Sequence, residues 1–211
     1  CKTAFMNPAL TATLPEYQTA SGCVDILMHT LERYFARDTL DITDHIAEGL
    51  MKSIISQAGM VMKDPNNIDL RASIMWANSL SHNGLTECGS VKDFAVHQLE
   101  HELSGMFDVA HGAGLAAMWP SWARYVYKTY PERFARFAVN VMGVEQDFDS
   151  PEITALRGVD ALETFFKSIK MPVRVSDFGI DLTEAQIKEL AYKCSFGNTR
   201  KIGTFRVLDI E

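Results

Sequence analysis

The sequence predicts an all-α, helical bundle-like domain. Helix-start and helix-end patterns recur along its 211 residues, and no apolar–polar alternation typical of a β-strand extends beyond about four residues. The chain is long enough for one sizeable core, and its 47% hydrophobic and 22% charged residues are typical of a globular protein. We therefore expect residues 1–211 to form a single helical domain.

Capping residues and helix breakers predict eight helices in chain order. The segment Thr13–Glu16 has the pattern of a capping box with a proline in the first turn. Ser150 and Thr183 are N-cap residues, and His82-Asn83-Gly84 ends the third helix. Pro120 predicts a break within the fifth helix. The helices are expected near residues 13–35, 41–62, 69–80, 90–109, 111–127, 132–142, 151–170 and 184–194.

Charge and composition exclude several classes of partner. The formal net charge of −7 is spread along the chain without a basic stripe, which argues against nucleic acid and against an anionic membrane surface. No apolar run approaches the roughly 20 residues of a transmembrane helix. The four cysteines lack CxxC spacing, so we expect a reduced, cytoplasmic setting and no cysteine metal site.

A carboxylate and several histidines form the most informative pattern. Asp25 and His29 lie four residues apart on one face of the first predicted helix. Their neighbours are small or apolar, and a buried carboxylate needs a partner. His97, His101 and His111 follow in one later stretch. Imidazoles around one carboxylate suit Fe(II), Zn(II) or a similar divalent ion, although spacing alone leaves open which of the later histidines are ligands.

Two further histidines and two short motifs in this sequence have simpler explanations. Histidines one turn from an acid are common on solvated helix faces, and His45 and His82 are interpreted as solvated or capping residues. Gly112–Ala117 has the letters G-x-G-x-x-A, but it follows a predicted helix rather than a strand, so we reject a dinucleotide loop. His101-Glu102 begins like H-E-x-x-H, but Gly105 occupies the place of the second histidine.

Two longer segments carry a resemblance to a known family. Residues 5–32 contain Phe-Met-Asn-Pro followed by Gly-x-x-Asp-x-x-x-His-x-x-Glu, and residues 81–112 contain Ser-His-Asn-Gly followed by His-x-x-x-His and a final His-Gly. The chain resembles the iron-containing (group III) alcohol dehydrogenases, and residues 97–112 are most similar to the butanol-dehydrogenase-like branch. Asn7 departs from the pattern, where the family often has an acidic residue.

The resemblance implies a ligand set and a reaction. It makes Asp25, His29, His97 and His111 the metal ligands, and it places His101 near the nicotinamide and the substrate without binding the metal. It implies Fe(II), with Zn(II) as the alternative, a small alcohol or aldehyde substrate, and NADP or NAD as cofactor. Apart from the resemblance, Glu102 and Asp108 are candidates for accepting a hydrogen bond from a ligand imidazole and so orienting its ring.

The resemblance also implies a second domain. Members of the family begin with an α/β cofactor domain that carries a Gly-Gly-Gly-Ser loop, and we expect this chain to be the helical metal-binding half without it. The isolated chain is then expected to be inactive, and the full-length protein to be a homodimer. Two alternatives stay open, a metal-binding fragment with no activity of its own and a helical metal-dependent hydrolase. A hydrolase of the His-Asp type needs a His that is followed directly by an Asp, and no His of this sequence is.

Overall fold

One central helix organises the molecule. The computed structural model describes residues 2–210, and in them α1 packs against α2, α3 and α5. Helix α4 packs against α5 and α8, and α6 packs against α7. The eight α-helices of the described residues are Glu16–Tyr34 (α1), Asp41–Lys63 (α2), Ile68–His82 (α3), Ala95–Phe107 (α4), His111–Val126 (α5), Pro131–Asn140 (α6), Pro151–Ser168 (α7) and Glu184–Cys194 (α8). Short 3₁₀ turns occupy Pro8–Thr11, Leu85–Glu87, Tyr127–Thr129 and Val175–Phe178.

The predicted all-α fold class is confirmed. Between residues 2 and 210 the structure contains no β-strand, and the isolated bridge found there joins Ile202 to Leu208. None of the helices in that range is long and apolar enough to cross a membrane. The caps at Ser150 and Thr183 are present, and each side chain accepts a hydrogen bond from the first turn of its helix.

The predicted capping box at Thr13 and Glu16 is wrong. Helix α1 begins only at Glu16, with Pro15 as an N-cap that makes no side-chain hydrogen bond. The preceding residues continue the turn that begins at Pro8, and the backbone N–H of Leu14 donates to the carbonyl of Thr11. The chain therefore reaches the helix later than the sequence pattern indicates.

Helix α4 also begins later than predicted. Phe94 has a left-handed backbone (φ 57°), and the side chain of Asp93 accepts from the backbone N–H of Ala95. The other oxygen of Asp93 accepts from Thr204 and Phe205 at 2.7 Å, so this residue binds the C-terminal segment. These contacts are distant in sequence, which is why the local pattern placed the start near residue 90.

The predicted break at Pro120 is wrong, because α5 continues through it. Pro120 removes one backbone donor, but α5 is buried along most of its length between α1, α4 and α7. Packing on several sides therefore maintains the helix despite the missing hydrogen bond.

Aromatic packing and a buried polar network fix the far end of α1. The ring of Phe35 stacks on Phe134 at 4.2 Å between centroids, within the main core. Nearby, Glu48 of α2 accepts hydrogen bonds from the Tyr34 hydroxyl (2.9 Å) and from Arg136 Nε (2.7 Å). Its second oxygen accepts from Asn140 at 3.1 Å. The network connects α1, α2 and α6 and leaves the opposite half of α1 for the functional site.

Candidate metal centre

All five predicted site residues lie in one cluster. Asp25 and His29 are one turn apart on α1, and His97 and His101 are one turn apart on α4. His111 is the first residue of α5. Because α5 packs on both α1 and α4, the three segments bring these side chains together.

The imidazoles converge on a single carboxylate oxygen. Asp25 Oδ1 lies 3.5 Å from His29 Nε2, 3.6 Å from His97 Nε2 and 3.5 Å from His111 Nε2. An ion about 2.1 Å from four tetrahedrally arranged ligand atoms would leave those atoms about 3.4 Å apart. The spacing around Asp25 Oδ1 matches that value, and Asp25, His97 and His111 form a group of potential ligands within 4.8 Å of one another.

Two buried atoms of this cluster lack a hydrogen-bond partner. They are Asp25 Oδ1 and His97 Nε2, which face each other. Leaving such groups unsatisfied costs about 1–3 kcal/mol each, and an ion is one of the ordinary explanations for them. The donor set of one carboxylate and three imidazoles therefore fits a divalent transition-metal ion.

Two fully buried carboxylates orient the histidine rings. Glu32 of α1 contacts His97 Nδ1 and also accepts from the backbone N–H groups of Val96 (2.7 Å) and His97 (3.2 Å). Glu100 contacts His111 Nδ1 in the same way and accepts from Ser104 Oγ. Each pair turns the Nε2 atom of its imidazole toward Asp25, as the outer carboxylates of metal sites commonly do.

The expectation that Glu102 or Asp108 would orient a ligand is wrong. Glu100 and Glu32 perform this role, and both are completely buried. A signal for Glu100 was present, because it lies on the apolar face of α4 between Val96 and Leu103. A carboxylate on such a face requires a polar partner.

His29 differs from the other two imidazoles. Its Nδ1 lies 3.1 Å from Arg33 Nη1, which also donates to the His29 carbonyl at 2.7 Å. Since a guanidinium only donates, this Nδ1 accepts, and the hydrogen of a neutral ring is on Nε2, toward Asp25. His29 must therefore exchange its hydrogen position before Nε2 can bind an ion.

Charge in the cluster is strongly coupled. Burial alone would raise the pKa of Asp25, but the adjoining imidazoles of His111 and His97 lower it far below its ordinary value. The carboxylates of Asp25 and Glu100 raise the pKa of His111 to about 10. Burial and the neighbouring His97 lower the pKa of His29 to about 3. Asp25 is thus a carboxylate that attracts positive charge to this point.

His101 lies at the open side of the cluster. Its ring is exposed, 5.3 Å from the ring of His111 and 6.2 Å from that of His97 between centroids. It is not among the imidazoles within 4 Å of Asp25 Oδ1. At this position the His101 side chain is accessible to a small molecule that approaches the cluster from solvent.

The interpretation of His82 as only a solvated or capping residue is incomplete. Its ring packs on His29 at 3.8 Å between centroids, and its Nε2 lies 3.9 Å from Asp25 Oδ2. His45, in contrast, is 61% exposed and lies beside Asp41, away from this cluster.

Small residues at the start of α5 allow this helix to approach α1 and α4 closely. A Cβ added to Gly112 would collide with the backbone carbonyl of Ser21, and one added to Gly114 would collide with the carboxylate of Glu100. The two glycines therefore serve helix packing and the position of His111. Gly112–Ala117 lies inside α5 and follows α4, which agrees with the rejection of a dinucleotide loop there.

A cavity of about 310 Å³ adjoins the carboxylate of Asp25. It lies between α1 and α3, and apolar side chains including Ile26, Ile74 and Met75 line it. Arg71 reaches it from α3, is 4% exposed, and has one terminal nitrogen without a partner. The cavity has the size and the apolar character of a small-molecule pocket.

Sequence comparison identifies the family of this chain. Residues 19–210 match the C-terminal part of the Fe-containing alcohol dehydrogenase family. The chain belongs to this family. An NADH-dependent butanol dehydrogenase A of Clostridium acetobutylicum is 33% identical over 99% of the chain, and an NADPH-dependent aldehyde reductase of Escherichia coli is 34% identical over 84%. The aligned regions cover 55% and 46% of those proteins, so the chain spans about half the length of its curated relatives.

Solved structures of Fe-containing alcohol dehydrogenases share the fold. A butanol dehydrogenase A from Thermotoga maritima superposes with a TM-score of 0.89 at 32% identity, over 96% of this chain and 52% of that one. The helical architecture is therefore that of the C-terminal domain in this family. The predicted resemblance and the fold that it implied are confirmed.

Proposed function

We propose that this chain supplies the metal-binding and substrate-binding half of an alcohol dehydrogenase. The reaction interconverts a small primary alcohol and its aldehyde and exchanges a hydride with NAD(P). The observation that carries the proposal is the convergence of three imidazole Nε2 atoms on Asp25 Oδ1, with two of the four atoms buried and unpartnered.

Asp25, His29, His97 and His111 are the proposed metal ligands. A bound divalent ion would supply Lewis acidity toward the oxygen of the alcohol or the aldehyde. Glu32 keeps His97 in place and Glu100 keeps His111 in place, so that the Nε2 atoms of both rings face Asp25. Family membership favours Fe(II), whereas the affinity order of divalent metals favours Zn(II) where both are free.

His101 and the cavity beside Asp25 are the proposed substrate and cofactor contacts. The exposure of the His101 ring on the open side of the cluster supports a role for it in contacting the nicotinamide and the substrate. The 310 Å³ cavity would accept the short carbon chain, with its apolar lining against the alkyl part.

A cofactor domain is the proposed partner of this chain. One similar protein is named as NADH-dependent and another as NADPH-dependent. The proposed cofactor is therefore NAD(P), without a choice between the two forms. The segment before α1 exposes large apolar side chains, with Phe5 94% and Leu10 76% exposed. Exposed apolar residues next to the site are suited to cover by another domain.

Metal analysis tests the proposal directly. The chain, purified without oxygen, should contain about one iron or zinc ion per molecule. His111→Ala should lose the ion because it removes a ligand, while His101→Ala should retain it. Retention of stoichiometric metal by His111→Ala would contradict the ligand assignment. The isolated chain should not oxidise NADH or NADPH with butyraldehyde, and detectable hydride transfer by it would contradict the proposed division between two domains.

A further inference from the structure

The second oxygen of Asp25 faces a histidine outside the proposed ligand set. His82 is the last residue of α3, and its Nε2 lies 3.9 Å from Asp25 Oδ2. Asp25, His29 and His82 each offer a ligand atom within 4.8 Å of the other two. The carboxylate of Asp25 therefore has imidazoles on both of its oxygens.

The hydrogen bonds of His82 determine which of its nitrogens is free. Its Nδ1 lies 2.9 Å from the carbonyl oxygen of Asn78, and 2.8 Å from Ser81 Oγ. The Ser81 hydroxyl donates to the same carbonyl of Asn78. Since a carbonyl only accepts, Nδ1 of His82 carries the hydrogen, and the lone pair of the neutral ring is on Nε2. That lone pair lies 3.9 Å from a carboxylate oxygen, an arrangement that a proton or a metal cation shared between the two atoms would stabilise.

A backbone carbonyl bound to the outer nitrogen is typical of metal-binding histidines. His82 has this arrangement already, whereas His29 has Arg33 at its outer nitrogen. We propose that His82 is an additional metal ligand, which binds a divalent cation together with Asp25 and His29. The site of this chain thus offers four imidazoles around one carboxylate.

Zinc titration of the metal-free chain tests this inference, which rests on the proposed metal site because Asp25 and His29 belong to both. The variants are His82→Leu and His82→Gln, whose amide can still donate to the Asn78 carbonyl. His45→Leu is the matched control, because His45 also lies one turn from an aspartate, with Nε2 3.4 Å from Asp41 Oδ2. Competition with a chromophoric chelator gives affinity and stoichiometry, and circular dichroism confirms the helical fold.

Both His82 variants should bind the zinc ion at least about tenfold more weakly than the wild type. His45→Leu should bind zinc like the wild type. A third variant, His82→Ala, leaves space for free imidazole, and added imidazole should restore its affinity for zinc. No such rescue is expected if His82 has only a structural role.

Unchanged zinc number and affinity in His82→Leu would overturn the inference. If His111→Ala loses zinc in the same experiment, the proposed metal site stands and only the role of His82 is refuted. If the wild-type chain binds no zinc, both the metal site and the role of His82 are refuted.

Discussion

Glu100 provides the sharpest test of how the site is built. Its carboxylate is completely buried and contacts His111 Nδ1 and Ser104 Oγ. In Glu100→Gln the amide oxygen can still accept from His111 and the amide nitrogen can donate to Ser104. The substitution therefore preserves the geometry and removes the negative charge. Loss of an outer-shell partner typically weakens metal affinity about 10–100-fold, which is about 1.4–2.7 kcal/mol.

The assay is competition for zinc between the chain and a chelator of known affinity. Glu102→Gln is the matched control, because Glu102 lies two residues further along α4 and contacts neither histidine through its carboxylate in the described hydrogen bonds. Glu100→Gln should lose affinity by the stated factor and Glu102→Gln should not. A dissociation constant for Glu100→Gln within about twofold of the wild type, or an equal loss in both variants, would refute the reasoning.

Two further predictions concern the scaffold. Gly112→Ala should lower the free energy of unfolding, measured by urea denaturation, by about 1–3 kcal/mol, because the added Cβ would collide with the Ser21 carbonyl. Gly105→Ala is the control, because a Cβ there meets nothing within 4 Å and should not destabilise the protein. Glu48→Gln should destabilise at neutral pH: burial raises the pKa of Glu48, but the hydrogen bond from Arg136 and its other partners lower it below its ordinary value. The stability that ionised Glu48 contributes is fully present above its pKa in the unfolded chain. It is lost as the pH falls through its pKa in the folded protein, so the denaturation curves of Glu48→Gln and the wild type should converge in acid.

The helical fold and the common face of Asp25 and His29 could be predicted because their signals are local. Caps such as Ser150 and Thr183 act within one helical turn, and the structure contains both. Asp25 and His29 are one turn apart, so their common face follows from helix geometry alone. The family resemblance then supplied the pairing of the two segments, which no local pattern contains.

The residues that the sequence did not reveal act over longer distances. Glu32 reaches His97 from another helix, and His82 meets Asp25 only because α3 packs beside α1. Thr13 was misjudged for the same reason, since the preceding 3₁₀ turn delays the start of α1. The sequence around His82 is the same whether its side chain caps α3 or faces Asp25. The packing of α3 against α1 decides which of these roles the side chain can have.

Charge balance in this cluster favours a bound cation. Asp25, Glu32 and Glu100 bring three carboxyl groups into one largely buried cluster. Arg33, whose guanidinium contacts His29, is already paired with Glu87 at 2.8 Å. Protonated imidazoles or a bound ion would balance these carboxyl groups, and the two compete for the same nitrogen atoms. The outer carboxylates thus contribute to affinity through their charge as well as through ring orientation, which is why removing the charge of Glu100 alone should weaken binding.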